Sequence, residues 1–113
     1  MSIASEVSNN GQIVKINVTE RFEFEQHREF RKAYQEHPKP KQYYLVNLSQ
    51  VRYMDSSALG MLLLLQEYSG KKKEGVRVVG ATEECKQLLY ACELDEYLHI
   101  SDDESIDISA TDH

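Results

Sequence analysis

The residues of this chain best suited to chemistry gather in one short stretch, YMDSSALGMLLLL at 53–65. There Asp55, Ser56 and Ser57 stand directly before a run that is all apolar or glycine. Three chemistries fit an acid and two hydroxyls in that place. The first is a helix cap, because Asp and Ser are among the preferred N-cap residues. The second is a nucleophile, which requires a base and an oxyanion hole. The chain has no G-x-S-x-G, and His27, His37, His99 and His113 stand in no recognisable relation to Ser56. It also lacks a P-loop and a G-x-G-x-x-G, so no catalytic role is expected. The third is a phosphate acceptor. Free N–H groups and the positive end of the dipole gather at a helix start and suit an anion. A phosphoserine there adds about −1.5 to −2 charges. The dipole attracts that charge and Asp55 repels it, which suits a switch that perturbs a surface without unfolding the domain.

Alternating strands and helices must position this segment. QIVKINV (12–18) puts Val14, Ile16 and Val18 on one side, a half-buried strand pattern. IASEV (3–7) pairs with it as a hairpin through Asn9-Asn10-Gly11. In FEFEQHREFRKAYQEH, Phe30, Ala33, Tyr34 and His37 fall at helical spacing, predicting about four turns stopped by Pro38 and Pro40. YYLVNL (43–48) predicts a central strand covered on both faces, and SQVRYMD a loop. A helix is predicted from Ser56 through about Lys73, ended by Gly75. VRVVG (76–80) reads as a buried strand. ATEECKQLLYACEL reads as a helix with Thr82 as N-cap, and YLHI (97–100) as a short last strand. The order is ββαβαβα(β), an α/β class with a mixed, partly parallel sheet of four to five strands and helices packed against it. The helix from Ser56 is apolar over well over half its circumference. The excess is buried by a neighbouring helix, or part of it, with Met61 and Leu65 as candidates, faces a partner.

A chain of 113 residues with 41% hydrophobic and 28% charged residues fits one domain with its own core. Residues 1–100 read as that domain and 101–113 as an acidic tail in which Ile106 and Ile108 have the means to dock. The net charge of −6 is uneven. Residues 1–86 hold all 13 Lys and Arg against 11 acids, and residues 87–113 hold eight acids and no Lys or Arg. That end argues against nucleic-acid binding. Lys71, Lys72 and Lys73 read as a solvated helix end placed to suit the dipole. Cys85 and Cys92, seven apart, are too distant on one helix for a disulfide and read as small buried hydrophobes. No metal site or cofactor is expected. No signal peptide is evident, and Ala58 to Leu65 is too short to span a bilayer, so the expected location is cytoplasmic without membrane insertion.

YYLVNLSQVRYMDSSALGMLLLL, followed by GVRVVGATEECKQLLYACELDEYLHI, resembles a STAS domain of the anti-sigma factor antagonist type. The shared pattern is an apolar strand, a short loop, an Asp-Ser-Ser/Thr-Gly/Ala-Leu-Gly helix start, then a Val-rich strand and a helix. It covers about residues 43–100 well and the N-terminal ββα part loosely. The resemblance implies a non-enzymatic protein working by partner switching. It implies that Ser56 is phosphorylated by an anti-sigma-type serine kinase, with Ser57 a secondary candidate. Asp55 shapes the loop and engages the kinase. The unphosphorylated form binds the kinase and frees its target, and a PP2C-type phosphatase restores binding. Leu59, Met61 and Leu65 join Asp55, Ser56 and Ser57 as partner-binding candidates, on a docking helix from Ser57 to about Lys73. Two departures stand out: Ala58 replaces the commoner Gly, and Thr19-Glu20-Arg21-Phe22-Glu23 lacks the family's Gly-x-Leu/Phe-Asp element. RFEFEQHREFRKAY resembles the stand-alone branch that controls biofilm or exopolysaccharide output. The competing reading is a constitutive adaptor in which Asp55 and Ser56 only cap a helix. A nucleotide-binding module is disfavoured by the absence of a phosphate-cradling loop. A transporter-linked STAS domain is disfavoured by the absence of a membrane segment.

Overall fold

The computed structural model describes residues 3–8, 11–36 and 43–101. Strands β1 (Ile3–Val7), β2 (Ile13–Phe22), β3 (Tyr43–Met54), β4 (Val76–Val79) and β5 (His99–Ser101) alternate with helices α1 (His27–Gln35), α2 (Ser56–Ser69) and α3 (Glu83–Ala91) in the expected order. Single 3₁₀ turns sit at Phe24–Gln26, Lys73–Gly75 and Leu94–Glu96. The five strands form one sheet in the order β1-β2-β3-β4-β5. β1 and β2 pair antiparallel, with Ile3 opposite Val18 and Val7 opposite Val14. The other pairs are parallel. Parallel neighbours need a crossover, and the helices supply it.

Alternation in β2 sends Val14, Ile16 and Val18 to one face, where each is essentially inaccessible. Tyr44, Val46 and Leu48 of β3 and Val76 and Val78 of β4 join them. The buried side chains of all three helices pack onto this same cluster. The opposite face holds a small second cluster, Ile13, Leu45 and Val79, with Tyr43 against it. It also carries a polar pair, Asn47 Nδ2 donating to Asn17 Oδ1 at 2.9 Å. The central strand thus buries residues on both faces, with the helices packed on one of them only. Burial of Leu45 on the far side comes from strand neighbours.

Four element boundaries differ from expectation. SQVRYM continues β3, because Val51 and Met54 point into the core while Gln50, Arg52 and Tyr53 face out. β2 likewise runs on to Phe22, with register shifts between Asn17 and Thr19 and between Glu20 and Arg21 and a left-handed Glu20 (φ 66°). Because Phe22 ends β2, the helix after it begins only at His27 and is shorter than four turns. α2 stops at Ser69, where Gly70 takes the left-handed C-terminal position (φ 66°), and not at Gly75. The lysine run thus follows the helix instead of ending it, and Lys71 Nζ lies 4.3 Å from the Tyr43 ring centre. Cys85 is buried, but Cys92 is exposed at the end of α3, because the last helical turn leaves the core there. Thr82 caps α3 as expected, accepting from the Cys85 N–H at 3.2 Å. Asn9, Asn10, His37, Pro38, Pro40 and the tail from residue 102 lie outside the described residues.

Candidate functional site at the mouth of the α1/α2 groove

The ends of β2 and β3 bring the site together. Phe22 pairs with Met54, and the Asp55 N–H points to the Phe22 carbonyl at 3.4 Å. The residues that follow the two strands are therefore neighbours: Phe24 and His27 on one side, Ser56 and Ser57 on the other. Glu23 and Gln26 form a reciprocal capping box, with the Glu23 N–H donating to Gln26 Oε1 at 2.8 Å, which turns the chain sharply into α1.

At the start of α2, Asp55 is the N-cap. Its Oδ1 accepts the Ser57 N–H at 3.0 Å, and its carbonyl accepts the Ala58 N–H at 3.1 Å. Ser56 is the first helical residue and is exposed. The capping role belongs to Asp55, so Ser56 is not the cap that the adaptor reading gave it. Ser57 is half-buried and turns toward α1.

An apolar groove of 610 Å³ runs between α1 and α2 from this mouth. On α2 its lining follows the stripe Ser57, Gly60, Leu64 and Glu67. On α1 it follows His27, Phe30, Arg31 and Tyr34. Phe30, Tyr34 and Met61 form a nearly inaccessible floor, whereas Phe24 is 62% and Leu64 56% exposed. The Phe24 ring stacks on His27, centres 4.5 Å apart, and His27 Nδ1 lies 2.8 Å from the Phe24 carbonyl. This holds an exposed aromatic in one orientation. Tyr34, Tyr44 and Tyr68 pack on one another beside the floor. Burial, then the neighbouring phenols Tyr68 and Tyr34, pushes the Tyr44 phenol up to about 12.

Of Asp55, Ser56 and Ser57, only Ser57 lines the groove, and Ser56 is exposed directly before it. Leu65 is wholly buried, and Leu59 and Met61 are 7% exposed. All three pack into the core, because α2 needs one face for the sheet and another for α1. Leu59 and Leu65 therefore face the core and not the groove, and Met61 contributes to the groove floor. The outward apolar residues are Leu64, which has an α2 address, and Phe24, which does not. Leu64 shares one stripe at helical spacing with Ser57, Gly60 and Glu67, but it is the packing of α1 and the sheet that turns this stripe outward. Among the described residues, no group of three or more His, Cys, Asp or Glu is arranged to hold a metal. Among these residues, too, no helix is long and apolar enough to cross a membrane.

Comparison with known proteins decides the family. The family model described as "Mlab, STAS domain" matches residues 5–100. This chain belongs to the STAS family. A STAS-domain containing protein of Pseudomonas aeruginosa is 34% identical over 101 residues, which are 89% of this chain and 100% of that protein. Among solved structures, an anti-sigma factor antagonist from Mycobacterium paratuberculosis superposes with a TM-score of 0.75 at 17% identity, covering 99% of this chain and 96% of the other. The Bacillus cell fate determinant SpoIIAA in its phosphorylated form gives a TM-score of 0.61 at 14% identity, covering 97% and 96%. At such identities these two structures establish the STAS fold, a five-stranded mixed sheet with three helices, and the D-S-S-A-L-G segment of this STAS chain opens α2 of that fold.

Proposed function

We propose that this STAS domain is a partner-switching regulator governed by phosphorylation of Ser56. The observation that carries the reading is the placement of Ser56: exposed at the first position of α2, between the Asp55 cap and Ser57, which lines the apolar groove. A phosphate there adds its charge next to the docking surface without entering the core. The unphosphorylated form binds a serine kinase of the anti-sigma type and releases the target that kinase holds. A phosphatase of the PP2C type resets it. The support is the site geometry together with the likeness in fold to anti-sigma factor antagonists, one of them solved in a phosphorylated form. Ser57 is the poorer acceptor, since it is half-buried in the groove lining whereas Ser56 is exposed.

The test is intact mass and phosphosite mapping of the chain from its own cells under contrasting growth conditions, followed by co-purification with Ser56→Ala and Ser56→Asp. The expected result is one phosphate on Ser56 with changing occupancy, and a kinase retained by the alanine form and lost by the aspartate form. Equal retention by both forms refutes the switch.

A further inference from the structure

We propose that the groove between α1 and α2 receives an amphipathic helix of the partner protein, its apolar ridge lying over Gly60 and an acidic flank facing Arg28 and Arg31. The inference rests on the partner-binding reading above and names the chemistry of what binds.

Three observations carry it. The first is Gly60. It lies inside α2, it is exposed, and a Cβ built on it meets no heavy atom within 4 Å. Its φ is not in the left-handed region that favours glycine. Glycine in a helix interior weakens the helix relative to alanine, and nothing in this chain's own packing requires the space. Gly60 lines the groove beside Met61, so the space left by its missing side chain opens into it. The second is shape. Both banks are α-helices offering side-chain ridges and no unpaired strand edge, which fits a helix seated ridge-into-groove and not an added strand. Phe24 and Leu64 are exposed apolar anchors at the rim, and Phe24 is already held by its stack on His27.

The third is charge. The chain carries −6 overall, yet the outer side of α1 carries Arg28, Arg31 and Lys32, all exposed. Lys32 pairs with Glu36 at 4.0 Å. Neither Arg28 nor Arg31 has an ion-pair partner among the described residues. The opposite bank ends in Glu67. A partner helix with carboxylates toward α1 complements this asymmetry, and one with cations there is repelled.

The test uses two leucine-ridged helical peptides that differ only in carrying glutamates or lysines on one flank. Each is titrated into the isotope-labelled full chain and followed by amide shifts. The glutamate peptide is expected to shift Gly60, Leu64 and His27, and to bind about fivefold tighter than the lysine peptide. Arg28→Glu with Arg31→Glu is expected to reverse that preference, and Gly60→Leu to weaken both peptides at least tenfold. Arg31→Gln alone, expected to narrow the preference, replaces the double variant if that does not fold. Equal binding of both peptides, shifts outside the groove, or no binding overturns the proposal. Ser56→Ala and Ser56→Asp with the cellular kinase test the switch separately, so each reading fails on its own data.

Discussion

Replacing Gly60 by alanine is expected to stabilise this protein, although the residue belongs to the family's own helix-start pattern. The added methyl finds open space within 4 Å, so no steric cost opposes it. The gain is the helix-propensity difference between alanine and glycine, about 0.8–1 kcal/mol. Unfolding entropy of about 2.1 cal/mol/K per residue gives about 240 cal/mol/K for a chain of this length, so the Tm should rise by about 4 °C. The same substitution at Gly70 should act in the opposite sense. That residue sits at φ 66°, where a Cβ costs about 1–2 kcal/mol. Thermal and urea unfolding of the two variants, with unchanged m values, is the assay. A Gly60→Ala form that melts at or below the parent temperature would show that the methyl meets something, and would remove the argument that the notch serves a partner. If Gly60→Ala is more stable and binds the partner less well, the glycine is retained at a cost in stability for the sake of the surface it leaves open.

Asp55→Ala should cost about 1 kcal/mol through loss of the cap on the Ser57 N–H, whereas Ser56→Ala should stay within about 0.5 kcal/mol; urea midpoints separate the two. Leu65→Ala should cost about 2–5 kcal/mol because Leu65 is wholly buried, while Leu64→Ala, one position earlier, should change stability by about 0.5 kcal/mol or less. The Tyr44 phenol, pushed up to about 12 chiefly by burial, favours the neutral form in the fold. Its contribution is complete below the unfolded phenol pKa of about 10 and is lost as pH rises from there through about 12. Tyr34 is raised in the same direction by burial. Tyr44→Phe should therefore move alkaline unfolding to higher pH, followed by circular dichroism against phenolate absorbance; an unchanged profile would refute the linkage.

The element order was legible because the periods are clean: Val14, Ile16 and Val18 at two, Phe30, Ala33 and Tyr34 at three and four. The continuation of β3 through SQVRYM was hidden by its polar letters. Only pairing with β2, through register shifts at Thr19 and Arg21, makes Ser49 to Met54 a strand. The candidate site was legible as a local fact, since Asp55 and Ser56 stand at a helix start whatever surrounds them. The groove was not, because Phe24 reaches it from the 3₁₀ turn and His27 and Arg31 from α1, about thirty residues away along the chain.

By itself, then, the sequence determined the order of helices and strands, that Asp55 caps α2, and that Ser56 is offered at its first turn. These follow from caps, periods and turn residues, which act over a few positions. Which of the six large apolar residues of α2 face outward was decided by tertiary structure. A helix apolar on nearly every side has no preferred inward direction of its own. Leu62 and Leu65 vanish into the common core, Met61 floors the groove beside α1, and Leu64 is left at the rim. A burial direction is a relation between elements, and it exists only once the second element is in place.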